Sequence, residues 1–198
     1  MCLRLRQLLL LAMFLAVSGC TTLRTTGTDW DARRDALLQQ DEWSLNGRIA
    51  ARTAAGEGGQ ATLNWRQSGE ESAVQLAGPF GAGRVELQVA PDAVTLRTAE
   101  GETVSYAGET AAERFMDEQF GWSFPVRSAR FWMRGLLDPA APGERVFDEA
   151  GELTGLRQHG WDVSLTRFAA VDGRLLPVRL TLENPQLRLK AAVSSWGD

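Results

Sequence analysis

At 198 residues, 44% hydrophobic and 23% charged, the chain has the composition of an ordinary globular protein, long enough for one substantial core and short for two. Its net charge of −4, with basic and acidic residues interspersed and a single lysine, Lys190, offers no phosphate-tracking cluster along the sequence; this argues against nucleic acid as a partner and against purely electrostatic attachment to an anionic membrane. One histidine and two cysteines give no spacing that supports a Cys/His site, a Ser/His/Asp site or zinc ligation, so the chain does not read as an enzyme and calls for no metal or cofactor.

The first segment is a leader. Arg4 and Arg6 form a charged start, Leu8 to Val17 is an uninterrupted apolar run, and Val17-Ser18-Gly19-Cys20 closes it with small residues before a cysteine. Ten apolar residues are about half of the roughly 20 that a membrane-spanning helix needs. An ordinary secretory signal would end on a small-x-small site, whereas here the small residues lead into Cys20, the pattern of a bacterial lipobox. Residues 1–19 are therefore expected to be removed and Cys20 to be lipidated. Cys2 leaves with the leader, and no disulfide is available to the 179 residues that remain, whose net charge falls to −6 with the loss of Arg4 and Arg6.

Residues 20–28, rich in Thr and Gly, are too short and polar to pack and read as a tether, leaving 29–198 as one domain. Asp29 is a plausible cap for a helix running to about Gln40, with Trp30, Leu37 and Leu38 on its apolar stripe. Period-two alternation follows: Trp43, Leu45 and Ile49 share one face, then Leu63 with Trp65, Val74 with Leu76, Val85 with Leu87 and Val89, Val94 with Leu96, and Val104 with Tyr106. Glycine- and proline-bearing turns separate these strands, and connections so short imply an antiparallel meander. A helix over Ala111 to Gln119 would face Ala112, Phe115 and Met116 inward, and a second from Pro125 to Arg134 would present Ala129, Trp132 and Met133 before stopping at Gly135. Pro139, Pro142 and Gly143 read as a loop. Strands resume over Leu156 to His159, Trp161 to Phe168, Leu175 to Leu182 and Leu187 to Val193. Ten or eleven strands are too many for a flat open sheet of this size. The expected fold is mainly β, a curled and incomplete antiparallel barrel, with the two central helices covering its open side or filling its mouth.

Chemistry-bearing signals are few. His159 sits in a turn and reads as exposed, no spacing singles out a carboxylate pair, and the glycine-rich stretch from Gly78 to Gly83 leads into a strand rather than a helix, so it is no phosphate cradle. That stretch is informative otherwise. Pro79, Gly81 and Gly83 give Phe80 little to pack against, so the ring either meets an external apolar phase or folds back as a plug over a barrel end. The tryptophans have two readings as well: ordinary core packing, or broad walls around a space that accepts hydrocarbon. For the second, the candidate lining is Trp43, Leu45, Leu63, Trp65 and Leu76 from the early strands. Phe115, Met116, Trp132 and Trp161 complete it.

Together these residues resemble the LolB family of outer-membrane lipoprotein receptors. The resemblance rests on the lipobox, Trp43-Ser44-Leu45-Asn46-Gly47-Arg48-Ile49-Ala50, Gly78-Pro79-Phe80-Gly81 and Phe124-Pro125-Val126. It continues in order through Trp132-Met133-Arg134-Gly135, Gln158-His159-Gly160-Trp161, Leu176-Pro177 and Trp196. It implies an apolar cavity for lipoprotein acyl chains, a periplasmic carrier, LolA, as donor, and the inner leaflet of the outer membrane as destination. It also implies a lipid-anchored, monomeric domain facing the periplasm, sorted outward because Thr21, not aspartate, follows Cys20. The family's protruding loop holds an apolar residue, usually leucine, between Pro and Gly, and Phe80 takes that place between Pro79 and Gly81. The competing class is a structural β-rich lipoprotein subunit of an outer-membrane assembly complex, with a solid core. A cofactor-free hydrolase is a more distant third.

Overall fold

The computed structural model describes residues 27–78, 83–120 and 124–197. The leader, Cys20 and the segment Pro79-Phe80-Gly81 lie outside the described residues. Helix α1 (Gly27–Leu38) opens the domain, two residues before the expected cap at Asp29. Six strands follow: β1 (Glu42–Thr53), β2 (Gly58–Ser68), β3 (Glu71–Ala77), β4 (Val85–Ala90), β5 (Ala93–Thr98) and β6 (Thr103–Ala107). The chain then leaves the sheet for α2 (Ala111–Phe120) and α3 (Val126–Trp132), and returns in β7 (Gly143–Phe147), β8 (Leu153–Gln158), β9 (Trp161–Val171), β10 (Arg174–Glu183) and β11 (Leu187–Gly197). β7 corrects the sequence reading, which took Gly143 as loop: Val146 and Phe147 are its only large apolar residues, too short a run to show a period.

All eleven strands form one antiparallel sheet in the order β6-β5-β4-β3-β2-β1-β11-β10-β9-β8-β7. Each strand pairs with its sequence neighbour except at the β1–β11 seam, which joins the two halves of the domain, and between β6 and β7, where the helices are inserted and the sheet stays open. The seam is set by a bulge after Asn46, where Gly47 passes so close to the opposite strand that a Cβ there would lie 2.4 Å from the Ala192 carbonyl oxygen.

Curling lets distant strands share one interior. The main apolar cluster combines Trp43, Leu45, Leu63 and Trp65 from one wing with Leu156, Trp161, Val163, Leu165, Leu180 and Leu182 from the other, and with Trp30 and Trp132 from α1 and α3. A second, smaller cluster gathers Val89, Val94, Ala111, Ala112, Phe115, Met116 and Val126 beneath α2. That helix packs on β5, β6 and, more lightly, α3, so it covers the open side, whereas α3 is sunk into the main core.

Candidate functional site

Antiparallel register turns the alternating apolar residues of β1 to β6 into continuous inward rows. One runs Leu45, Trp65, Val74, Leu87, Leu96 and Val104 across six strands, and its neighbour runs Leu63, Leu76, Val85 and Thr98. Burial is not uniform along these rows. Leu45 is fully buried and Trp65 is 7% exposed, but Leu76, Val85, Leu87, Leu96 and Val104 are only half-buried, as are Ile49 and Ala51 on β1. Most of these half-buried residues lie at the strand ends that lead into the β1–β2, β3–β4 and β5–β6 turns. The wing therefore presents an apolar inner wall that is packed at one end and open to solvent at the other.

The packed end is held shut by α3 and the turn after it. Arg127 donates to the Pro91 carbonyl in the β4–β5 turn, Arg130 donates to Gly69 O in the β2–β3 turn (3.3 Å), and Arg134 donates to Leu37 O (2.6 Å) and Gln40 O (3.1 Å) behind α1. Burial, with Arg130 nearby, pushes the Arg134 guanidinium down to about 10, so its charge is kept against a desolvation cost that the two carbonyls and the face of Trp43, 5.4 Å away, offset. Between the same strands, Trp65 Nε1 donates to Gln67 Oε1 (3.0 Å), Ser72 Oγ donates to that oxygen (2.6 Å), and Gln67 Nε2 donates to Gly69 O (2.9 Å). A second buried hub is Gln158. It accepts from Trp132 Nε1 (2.8 Å) and Asp138 N (2.9 Å) and donates to the carbonyls of Asp138 (2.9 Å) and Ala141 (2.8 Å).

Of the candidate lining residues, the structure unites Trp43, Leu45, Leu63, Trp65, Trp132 and Trp161 in the main cluster with Leu76 at its edge, and it sets Phe115 and Met116 apart under α2. Trp43 stacks at 5.5 Å from Trp65 and 5.6 Å from Trp196, and Trp132 lies 6.3 Å from Trp161, so these rings largely fill space against one another. Leu87 and Phe124 touch both clusters and mark the boundary between them; Phe124 meets Trp161 edge-on at 5.2 Å. Alternation had placed Ile49, Val85, Leu87 and Leu96 on the inner face. It carried no sign that they stand at an open end. Phe124, Arg134 and Gln158 were visible only as motif members, with nothing in the sequence to give their roles. His159 is exposed in the β8–β9 turn at φ 54°, followed by Gly160 at φ 74°. A separate cleft of about 590 Å³ lies on the other flank, between α1, the 136–143 segment and β7, and contains none of the candidate lining.

Among the described residues, these inner rows are apolar apart from the hydroxyl of Thr98. The family described as outer membrane lipoprotein LolB matches residues 41–196. Curated proteins called outer-membrane lipoprotein LolB are similar over nearly the whole chain: one from Nitrosococcus oceani is 33% identical, over 96% of this chain and 96% of its own length, and one from Chromohalobacter salexigens is 37% identical, over 85% and 76%. Among solved structures, a LolA superfamily protein from Nitrosomonas europaea superposes with a TM-score of 0.51 at 9% identity, covering 88% of this chain and 93% of that one, a likeness of fold.

Proposed function

The chain belongs to the LolB family of outer-membrane lipoproteins, and from that premise we propose that it is a lipid-anchored receptor that takes lipoproteins from the periplasmic carrier LolA and releases them into the outer membrane. In this reading residues 1–19 are the leader, Cys20 carries the anchor, 20–28 is the tether, and the domain faces the periplasm. It acts by binding and transfer, not catalysis. The observation that carries the reading is the inner wall whose apolar rows pass from buried at Leu45 to half-buried at Leu76, Leu87 and Leu96. Burying acyl chain against it returns about 25 cal/mol for each Å² of apolar surface removed from water, whatever protein the chain is attached to. Half-buried apolar side chains give a gain on loading that a fully packed interior cannot, and the exposed end gives the cargo a way out.

A photo-crosslinking side chain at Leu96 should capture the acyl part of carrier-delivered lipoprotein, and one at Thr95, the next residue along the strand, should not. Equal capture at both positions would remove the inner wall as the binding surface. Phe80 stands where the family's loop meets the membrane. One ring contributes roughly 1.5–3 kcal/mol on leaving water, against about 0.8 kcal/mol for each CH₂ of the anchor, so it orients the domain and does not hold it. Phe80→Glu is expected to leave acceptance from the carrier intact and to impair delivery into liposomes; normal delivery would favour the buried-plug reading.

A further inference from the structure

The outer face of the sheet gathers charges that are dispersed in the sequence. Across the β1–β11 seam Arg48 faces Ala192, which faces Arg179 on β10, and Arg179 faces Arg167 at the irregular register of β9. Two residues along, Ala50, Lys190 and Thr181 form the next row, and beyond it Arg52 faces Arg188. With strands about 4.8 Å apart and about 3.4 Å per residue, six cations occupy a patch on the order of 15 Å across. All six are exposed. Arg188 pairs with Glu183, but among the described residues no carboxylate pairs with Arg48, Arg52, Arg167, Arg179 or Lys190. Arg52 opposite Arg188 and Arg179 opposite Arg167 are like-charge pairs across strands, an arrangement that disfavours the sheet. The opposite wing reverses the sign: Glu109, Glu113, Asp117 and Glu118 are exposed on and before α2. A domain that is acidic overall therefore has one basic wall, and Arg52 and Arg188 bring it to the strand ends where the inner wall opens.

We infer that this basic wall docks on anionic phospholipid headgroups of the membrane that holds the anchor, fixing the orientation of the domain and holding its open end beside the bilayer surface. The inference rests on the lipid-anchored reading above. Seven residues from Cys20 to Gly27 reach at most about 25 Å, so the wall stays close to the surface and a weak attraction is enough to orient it. Each cation near an anionic leaflet favours the docked pose by roughly fivefold, and the patch supplies several. Phosphate is the complementary chemistry: an oxyanion for each guanidinium, presented in a plane that matches the broad sheet face.

Lys190 is the only lysine of the chain and lies within the patch, so a neutral, poly(ethylene glycol)-linked amine-reactive ester reads the wall directly. The lipidated full-length mature protein would be placed in vesicles of phosphatidylcholine alone or with about a third phosphatidylglycerol. Labelling of Lys190 should be at least fivefold slower with phosphatidylglycerol. High salt, or the triple substitution Arg48→Gln, Arg167→Gln and Arg179→Gln at exposed positions, should restore the faster rate. Equal rates in the two vesicles would overturn the inference, and so would protection that appears only when carrier is added, which would assign the wall to an acidic protein. Lipoprotein transfer measured in the same vesicles keeps the two readings apart: transfer without lipid-dependent protection removes the docking wall alone, whereas loss of transfer in both vesicle types removes the receptor reading.

Discussion

The two apolar clusters are built differently. The main cluster is closed by polar groups that hold backbone: Gln158 ties Trp132 to the 138–141 segment, Arg134 ties the end of α3 to the end of α1, and Trp196 Nε1 donates to Pro177 O at 3.1 Å. The cluster under α2 is small, its helix is amphipathic, and its polar ties to the sheet include Tyr106 to Glu118 at 2.8 Å and Arg114 to Ala107 O at 2.7 Å, both exposed. Where most polar groups of an interior are tied inside it, as they are here apart from Trp43 Nε1 and Arg134 Nε, removing one piece disturbs the whole; where a helix rests on a half-covered wall, it can shift without unfolding the sheet. A receptor that must be specific in shape yet accept many hydrocarbon chains needs both kinds of region.

The strongest test of that contrast is Trp132→Ala. It removes a fully buried ring and orphans part of Gln158, and should lower stability by about 3–5 kcal/mol, seen as a single shifted denaturation transition for the whole domain. Phe115→Ala deletes a ring of comparable burial, yet its cost is capped by the local release of α2 and should not exceed about 3 kcal/mol. Hydrogen exchange should show α2 losing protection while β9 and β10 keep theirs; uniform loss would merge the two regions into one. Leu96→Asn, at the half-buried rim, should change stability by less than about 1 kcal/mol and weaken binding of an apolar fluorophore by about tenfold, since roughly 1.5 kcal/mol of apolar contact is lost. Unchanged affinity would move the binding surface elsewhere.

The smallest effect concerns the tie between α1 and β7. The hydrogen bond from Arg145, reinforced by its charge, holds Asp31 below the usual carboxylate range. A depressed carboxylate stabilises the fold above its ordinary pKa and loses that contribution as the pH falls through the lowered value. Wild type should exceed Asp31→Asn in denaturation midpoint at pH 6, with the difference fading on acidification toward pH 2. Because the pair is exposed, the difference should be smaller than any above and weaken with salt.

Much of the family resemblance belongs to joints of the scaffold. Gly47 permits the close seam, Gln158 is the buried hub, Arg134 clamps α1, and Gly135 turns at φ 76° against Pro177, Leu165 and Trp30. Short motifs mark such places because a glycine in a forced conformation or a polar group inside a core tolerates few replacements.

By itself the sequence determined the strands of the meander, the two central helices and the inner-facing residues, because period two and period 3.6 are local properties of the backbone that composition writes directly. The lipobox proposed to end at Cys20 is likewise read from sequence alone, as an address that enzymes recognise. Tertiary structure alone decided which half of the inner wall stays open, since full burial at Leu45 and half-burial at Leu96 depend on what the three helices cover. It alone separated Phe115 and Met116 from the tryptophans, and it alone made a basic wall from Arg48, Arg179 and Lys190, residues up to 142 positions apart that only cross-strand register brings side by side.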